Sequence, residues 1–405
     1  MNPELRQLQP YPFERLAALF SGISPPEGAS SIALHIGEPA HPAPQHVLDT
    51  LWQHREGFSR YPKTAGESWL REAMAAWLRR RYGLDEGELL ASSGVLPVNG
   101  SREALFAFTQ AVMSRSAPDA RVAMPNPFYQ IYEGATLLAG ARPMYLPERS
   151  DRPGIPDVAA LRDEDWRGCQ LLFVCSPANP SGAVLGIDDW AVLFDLADRH
   201  GFVIASDECY SELYPDESAP PIGVLSACKA LGRRDFRHCV AFHSLSKRSS
   251  LPGLRSGMVS GDAALLKDFL LYRTYHGCAM PLPHQHASAA AWSDETHVIA
   301  NRERYRRKFA AVLRELGECL DLRIPEGGFY LWSEVGGDDT VFARELLRCE
   351  GVSVLPGSFL GREVATGNPG AGRVRIALVG GHDETVEAAR RIRRFVLSNW
   401  QRARG

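Results

Sequence analysis

Between about residue 91 and residue 260, short apolar runs alternate with helical stretches, and this alternation constrains the fold more than any other feature. The runs cover residues 121–124, 171–175, 202–206, 239–243 and 257–260. They are too short for ordinary helices and read as strands buried on both faces. Helical patterns separate most of them, for example over 129–138 and 188–200. Strands alternating with helices predict an α/β fold, a mostly parallel sheet with helices on both faces. Ligands of such sheets bind beyond the carboxyl ends of the strands. Residues 176–182, 207–210 and 244–247 fall at such ends.

The flanks read differently. Helical periodicity over 12–20, 45–54 and 67–81 precedes the alternating region, with a short strand from residue 32 to a Gly/Pro break and a turn at 60–66. The segment 97–105 enters a helix that runs to about residue 113. Beyond residue 285 a long charged helix over 296–320 is followed by strand patterns at 328–332, 352–355 and 373–379. Helices over 341–349 and 383–399 complete a second, α+β domain. The division expected is residues 1–44 as an N-terminal arm and part of the small domain, 45–284 as the large domain, and 285–405 as the small domain. The Gly-rich loop 361–372 is expected to be mobile.

The 45 basic and 48 acidic residues leave a net charge of -3, so no basic excess argues for nucleic acid or an anionic membrane. None of the eight cysteines forms a C-x-x-C pair, which favours free thiols in a reducing compartment. The N-terminal stretch is charged and Pro-broken, unlike a signal peptide. No apolar run approaches the roughly 18 residues of a membrane span. A cytoplasmic protein is expected.

The chemistry concentrates in the stretch 244–257, with the pattern S-x-S-K-x5-G-x-R-x-G. Ser244, Ser246, the Arg255 guanidinium and glycines that admit close backbone approach suit a phosphate. Lys247 beside a phosphate site suggests a Schiff base with a phosphorylated aldehyde, pyridoxal 5'-phosphate (PLP). Upstream residues supply the remaining parts of such a site. Asp207 can pair with the pyridine nitrogen and keep it protonated. Asn179 and Tyr210 can bond the ring oxygen. The turn Asn99-Gly100-Ser101-Arg102 opens a helix whose free N–H groups can hold an anion, and Tyr129 can stack on a ring. Taken singly, these residues have plain structural uses: Asp207 or Ser101 as a cap, Asn179 in a turn, Tyr129 in the core. The histidines His284 and His286 lack an apparent third ligand and read as structural, so no metal is expected.

In combination, and in this order, IGEP, RYPKTAG, NGSREAL, PNPFYQIYEGA, SPANPSG, SDECY, SLSKRSSLPGLRSG, GGFYLW and RVRIALVGG resemble the fold-type I PLP-dependent aminotransferases of classes I and II. The resemblance covers essentially the whole chain. It implies a large domain built on a mostly parallel sheet of the seven-stranded type, with a smaller α+β domain. It implies Lys247 as the Schiff-base lysine, Asp207 as the partner of the ring nitrogen, and Asn179 and Tyr210 as partners of the ring oxygen. Ser101, Arg102, Ser244, Ser246 and Arg255 would hold the phosphate, and Tyr129 would stack on the ring. Arg375 matches the arginine that binds the substrate α-carboxylate, with Gly37 assisting through its backbone. Arg373, on the same strand face by alternation, is the decoy. Tyr61 matches the tyrosine that reaches the phosphate of a neighbouring subunit, which implies a homodimer with shared sites.

Within the family the chain resembles bacterial N-succinyldiaminopimelate aminotransferases, through residues 274–280 and 283–287. That implies amino transfer between glutamate and N-succinyl-2-amino-6-oxopimelate, small-molecule partners only. Arg273, His276 and Lys63 are the candidates for the additional carboxylates of that substrate. The alternatives are an aspartate, aromatic or branched-chain aminotransferase, or a PLP-dependent C–S lyase. A PLP-binding transcription regulator needs a DNA-binding domain, and about forty residues before the first shared motif are too few for one.

Overall fold

The computed structural model describes residues 1–400, residues 29 and 115 excepted. Among the described residues, twelve strands form three sheets. They are β1 (Ile32–Ala33), β2 (Val95–Val98), β3 (Arg121–Pro125), β4 (Arg142–Leu146), β5 (Cys169–Cys175) and β6 (Val203–Asp207), then β7 (Cys239–Ser244), β8 (Gly257–Gly261), β9 (Tyr330–Glu334), β10 (Val352–Ser353), β11 (Leu355–Pro356) and β12 (Arg373–Ala377). The main sheet has seven strands in the order β2-β8-β7-β6-β5-β3-β4. Only β8 runs against its neighbours, pairing antiparallel with both β2 and β7.

The central strands are apolar throughout because both faces are covered. Leu172, Val174, Ile204 and Ala241 point into one core, and Leu171, Phe173, Ala205, Val240 and Phe242 into the other. Two strands escape the sequence pattern, β2 and β4. Each contains a proline, Pro97 and Pro143, which argues against a central strand. Both lie at the edges of the sheet, where a missing N–H costs no ladder bond.

Register gathers the site. Cys175 pairs with Asp207, and Ser244 with Gly257, which in turn faces Val98. The carboxyl ends of β5, β6 and β7 therefore meet the start of β8 and the turn after β2 at one rim. That turn leads into the helix Ser101–Val112.

A smaller unit carries the sheet β11-β12-β9 and the parallel pair β1-β10. The expected single strand over 352–355 is two strands, which change partner at Val354: β10 pairs with β1 and β11 with β12. The helices Thr296–Leu316 and His382–Phe395 pack together over this unit. Its core includes Ile32 and Leu34 from the N-terminal segment and Cys209 and Tyr210 from the loop after β6, so the two units share a seam at the site. The position 284/285 falls inside the helix Leu282–Ser293, whose Ala287, Ala291 and Trp292 sit in a core of the main sheet.

The loop 361–372 is tied down, contrary to expectation. Arg362 donates to both carboxylate oxygens of Glu133, the Asn126 side chain bonds the Arg362 main chain at both N–H and C=O, and Asn368 donates to Ser358 O. The eight cysteines are unbridged. Among the described residues, no helix is long and apolar enough to cross a membrane.

Candidate active site

The rim encloses a cavity of about 550 Å³. Twelve of the thirteen residues expected at the cofactor and the α-carboxylate line it: Gly37, Ser101, Arg102, Tyr129, Asn179, Asp207, Tyr210, Ser244, Ser246, Lys247, Arg255 and Arg375. Tyr61 does not. It is 102% exposed, with its side chain wholly in solvent on this chain.

Lys247 stands in the helical turn Leu245–Arg248, directly after β7. Its Nζ donates to Gly37 O at 2.6 Å. Burial pulls its ammonium down to about 8, and Arg375 and Arg102 act in the same direction. A lysine so placed has an accessible amine near neutral pH.

Asp207, at the end of β6, is buried. Tyr132 Oη donates to its Oδ2 at 2.7 Å and Cys209 N to its Oδ1 at 3.2 Å. Burial raises its carboxyl above the ordinary range. No arginine, lysine or histidine pairs with it among the described residues. A buried carboxylate held by two donors but lacking a cation suits a pyridinium N–H.

The phosphate side is assembled from three segments. Gly100 has φ +88, and a Cβ there would lie 2.2 Å from Arg255 Nη2, so only glycine lets the guanidinium lie against this turn. The helix Ser101–Val112 begins with no side-chain cap. Its first N–H groups and dipole face the cavity beside Arg255. Ser244 Oγ accepts from Ser246 N at 3.1 Å, and Ser101 Oγ accepts from Cys209 Sγ at 3.0 Å. Ser244 thus also caps the turn Leu245–Arg248, and both hydroxyl hydrogens stay available to an anion. These groups fit a phosphate.

Opposite lies Arg375 on β12. Its Nη1 donates to Asn179 Oδ1 at 3.1 Å and its Nη2 to His35 O at 3.0 Å. Its Nε is buried with no partner among the described residues, ready for a carboxylate oxygen. Arg373 turns outward to Glu334, which resolves the two arginines. Gly37 contributes through its carbonyl, which holds Lys247. Its lack of a Cβ also admits Tyr330 Oη, which a Cβ would meet at 2.0 Å.

Sequence reasoning missed Tyr132, Cys209 and Tyr330. Tyr132 lies within the PNPFYQIYEGA segment, three residues after Tyr129, one helical turn on. Tyr330 is the tyrosine of GGFYLW; its Oη lies 3.0 Å from Tyr210 Oη and its ring 4.3 Å from the Arg375 guanidinium. Nothing local marks Cys209. The residues expected at the distal carboxylates do not line this chain's cavity. Arg273 is fully buried and bonded to Glu103 and Cys278 O, Lys63 pairs with Glu67 in solvent, and neither they nor His276 line the cavity. His284 bonds Leu254 O, and His286 stacks between His54 and Trp69.

The family description Aminotransferase class I and II matches residues 29–392. The chain belongs to this family. Members use PLP, and the cavity fits it. A crystal structure of an aminotransferase from Neisseria meningitidis is 50% identical, with TM-score 0.94, covering 98% of this chain and 100% of that one. The LL-diaminopimelate aminotransferase of Desulforudis audaxviator is 30% identical over 96% of each chain. The structure of a probable N-succinyldiaminopimelate aminotransferase from Thermus thermophilus is 26% identical, with TM-score 0.81, covering 94% of this chain and 99% of that one.

Proposed function

We propose that this aminotransferase moves an amino group between glutamate and N-succinyl-2-amino-6-oxopimelate. The observation that carries the reading is a cavity with Lys247 and Arg375 on its lining and one cation to spare. Arg255 belongs to the phosphate side and Arg375 to the α-carboxylate. Arg102 remains, exposed at the cavity edge, its Nε donating to Tyr129 Oη at 2.6 Å. A long substrate with further carboxylates needs such a partner, because desolvating them unpaired is costly. The diaminopimelate skeleton in the names of two relatives supports the same choice.

In this reading Ser101, Ser244, Ser246, Arg255 and the amide groups of Ser101 and Arg102 hold the cofactor phosphate. Asp207 holds the ring nitrogen, Asn179 and Tyr210 the ring oxygen, and Tyr129 covers the ring face. The bound cofactor supplies an electron sink for the substrate Cα. Arg375 fixes the substrate carboxylate through its fork, which orients the Cα–H toward Lys247. Lys247 Nζ would take that proton and hand it to the cofactor carbon that carried the aldehyde, and would carry one back to Cα in the other half-reaction. The protein works as a homodimer, with Tyr61 reaching the neighbouring site. Tyr61, 102% exposed on this chain, is free to do so.

The test is kcat/KM with glutamate as donor across oxo-acid acceptors, with Lys247→Ala as control. The succinylated acceptor should exceed oxaloacetate and phenylpyruvate, and Lys247→Ala should bind PLP without turning over. A better rate with oxaloacetate or phenylpyruvate rejects the substrate. Wild-type turnover by Lys247→Ala rejects the site. Ammonia release without amino transfer selects a lyase.

A further inference from the structure

Behind Lys247 lies a hydrogen-bonded chain that the reaction as described does not use. Asn301 Nδ2 donates to the main-chain oxygens of Lys247 and Arg248, each at 3.3 Å. His41 Nδ1 lies 2.8 Å from Asn301 Oδ1. Lys308 Nζ lies 2.9 Å from His41 Nε2 and donates to Gly380 O at 2.9 Å. Asn301 and Lys308 are 3% and 1% exposed, and no carboxylate pairs with Lys308 among the described residues.

The chain has one direction. Asn301 spends its N–H groups on two carbonyls, so its Oδ1 accepts, and His41 Nδ1 carries the hydrogen. His41 Nε2 then presents a lone pair, which Lys308 fills. Burial agrees with this tautomer, since it pulls His41 down to about 4 and keeps the ring neutral.

These contacts close a ring around the reactive lysine. Lys247 is held at its carbonyl by Asn301 and at its amine by Gly37 O, and His41 stands four residues after Gly37 in the same loop. The far end reaches Gly380, next to Val379, whose carbonyl accepts from Ala40 N at 3.3 Å. Val379 follows Arg375 by four residues. One relay thus joins the Lys247 turn, the Gly37 loop and the exit of the Arg375 strand. A buried tie of plain structural value would need no connection to both ends of Lys247.

We propose that Asn301, His41 and Lys308 are positioning residues that set where the Lys247 amine stands relative to the cofactor aldehyde and Arg375. The proposal rests on Lys247 being the residue that takes the cofactor. In that step the amine condenses with the aldehyde, one C=N bond forming and one water leaving, so its rate reads the placement of Nζ directly.

The experiment mixes cofactor-free protein with PLP and follows the visible absorbance as Lys247 captures it. The same proteins are titrated with pyridoxamine 5'-phosphate, which fills the phosphate and ring contacts but carries no aldehyde. Asn301→Ala, His41→Ala and Lys308→Met should slow capture about tenfold, a typical effect of sub-ångström misplacement. Pyridoxamine phosphate affinity should stay within about twofold, since the relay bonds main-chain oxygens of Lys247 and Arg248 and none of the side chains assigned to the phosphate and the ring. His41→Gln, which offers one donor and one acceptor, should recover most of the rate. Should the alanine variants fail to fold, Lys308→Met decides the question by the same two measurements. Unchanged capture, or capture and pyridoxamine phosphate affinity falling together, overturns the proposal. No capture by the wild type overturns the Lys247 assignment and the relay with it.

Discussion

At the scale of the residue, function depends on how burial is offset. Asp207 must stay ionised inside the protein, and Tyr132 Oη is the side-chain donor that meets it. Tyr132 is itself fully buried and stacks on Phe173, so the ring stays in place when the hydroxyl is removed. Tyr132→Phe should raise the proton affinity of Asp207 and weaken its hold on the ring nitrogen. One hydrogen bond to a buried charge amounts to about 1.5–3 kcal/mol, so kcat with glutamate should fall roughly tenfold or more. A wild-type kcat would show that Cys209 N suffices. Lys308 shows the opposite case. Burial pulls its ammonium down to about 7, while the unfolded chain keeps the ordinary value near 10.5. The folded pKa is depressed, so the unfolded state binds more protons between those limits, and stability rises with pH across that window. Below pH 7 the full penalty is present. Between pH 7 and pH 9 the cofactor-loaded wild type should gain about 1 kcal/mol or more over Lys308→Met in urea unfolding. Parallel curves would mean that Lys308 titrates normally.

At the scale of the element, the site is the junction of strand ends with one helix start, and Gly100 is where they meet. Its positive φ and the Arg255 side chain against it leave no room for a Cβ. Gly100→Ala should cost about 1–3 kcal/mol of stability from the backbone alone and push Arg255 off the turn. The distinctive readout is pyridoxamine phosphate affinity, which should fall at least tenfold as two phosphate contacts are disturbed together. Retained affinity would place the phosphate elsewhere. This junction was legible in the sequence because its parts are local: SLSK after an apolar run, NGSR before a helix, SDECY at a strand end. What escaped is non-local. The prolines of β2 and β4 signal loops until the sheet shows them to be edge strands. Tyr132 and Cys209 acquire meaning only when β6 is laid beside the helix Ile131–Leu138 and the Ser101 turn. Arg273, expected near the substrate, is claimed by Glu103, a partner 170 residues away. The decoy Arg373 could be told from Arg375 only by resemblance; β12 shows the reason, since Glu334 opposite takes Arg373.

At the scale of the whole molecule, every residue expected at the cofactor and the α-carboxylate lines one cavity of this chain except Tyr61. That residue follows the segment Arg55–Ser59, which packs beside the helix Leu282–Ser293. An exposed tyrosine cannot serve a cavity it does not line, so its proposed role requires a second copy. Mixed dimers decide the matter. A subunit carrying Lys247→Ala keeps its tyrosine, and a subunit carrying Tyr61→Phe keeps its lysine. If each site draws Lys247 from one chain and Tyr61 from the other, the pairing places both defects in one site and leaves the other wild type. The purified heterodimer should then show about half of wild-type activity, because one of two independent sites is intact. The comparison requires a Tyr61→Phe homodimer that is itself clearly impaired. If the sites are not shared, every site keeps one defect, and the heterodimer shows no more than half the activity of that impaired homodimer. That outcome would return Tyr61 to the surface as a plain exposed aromatic residue.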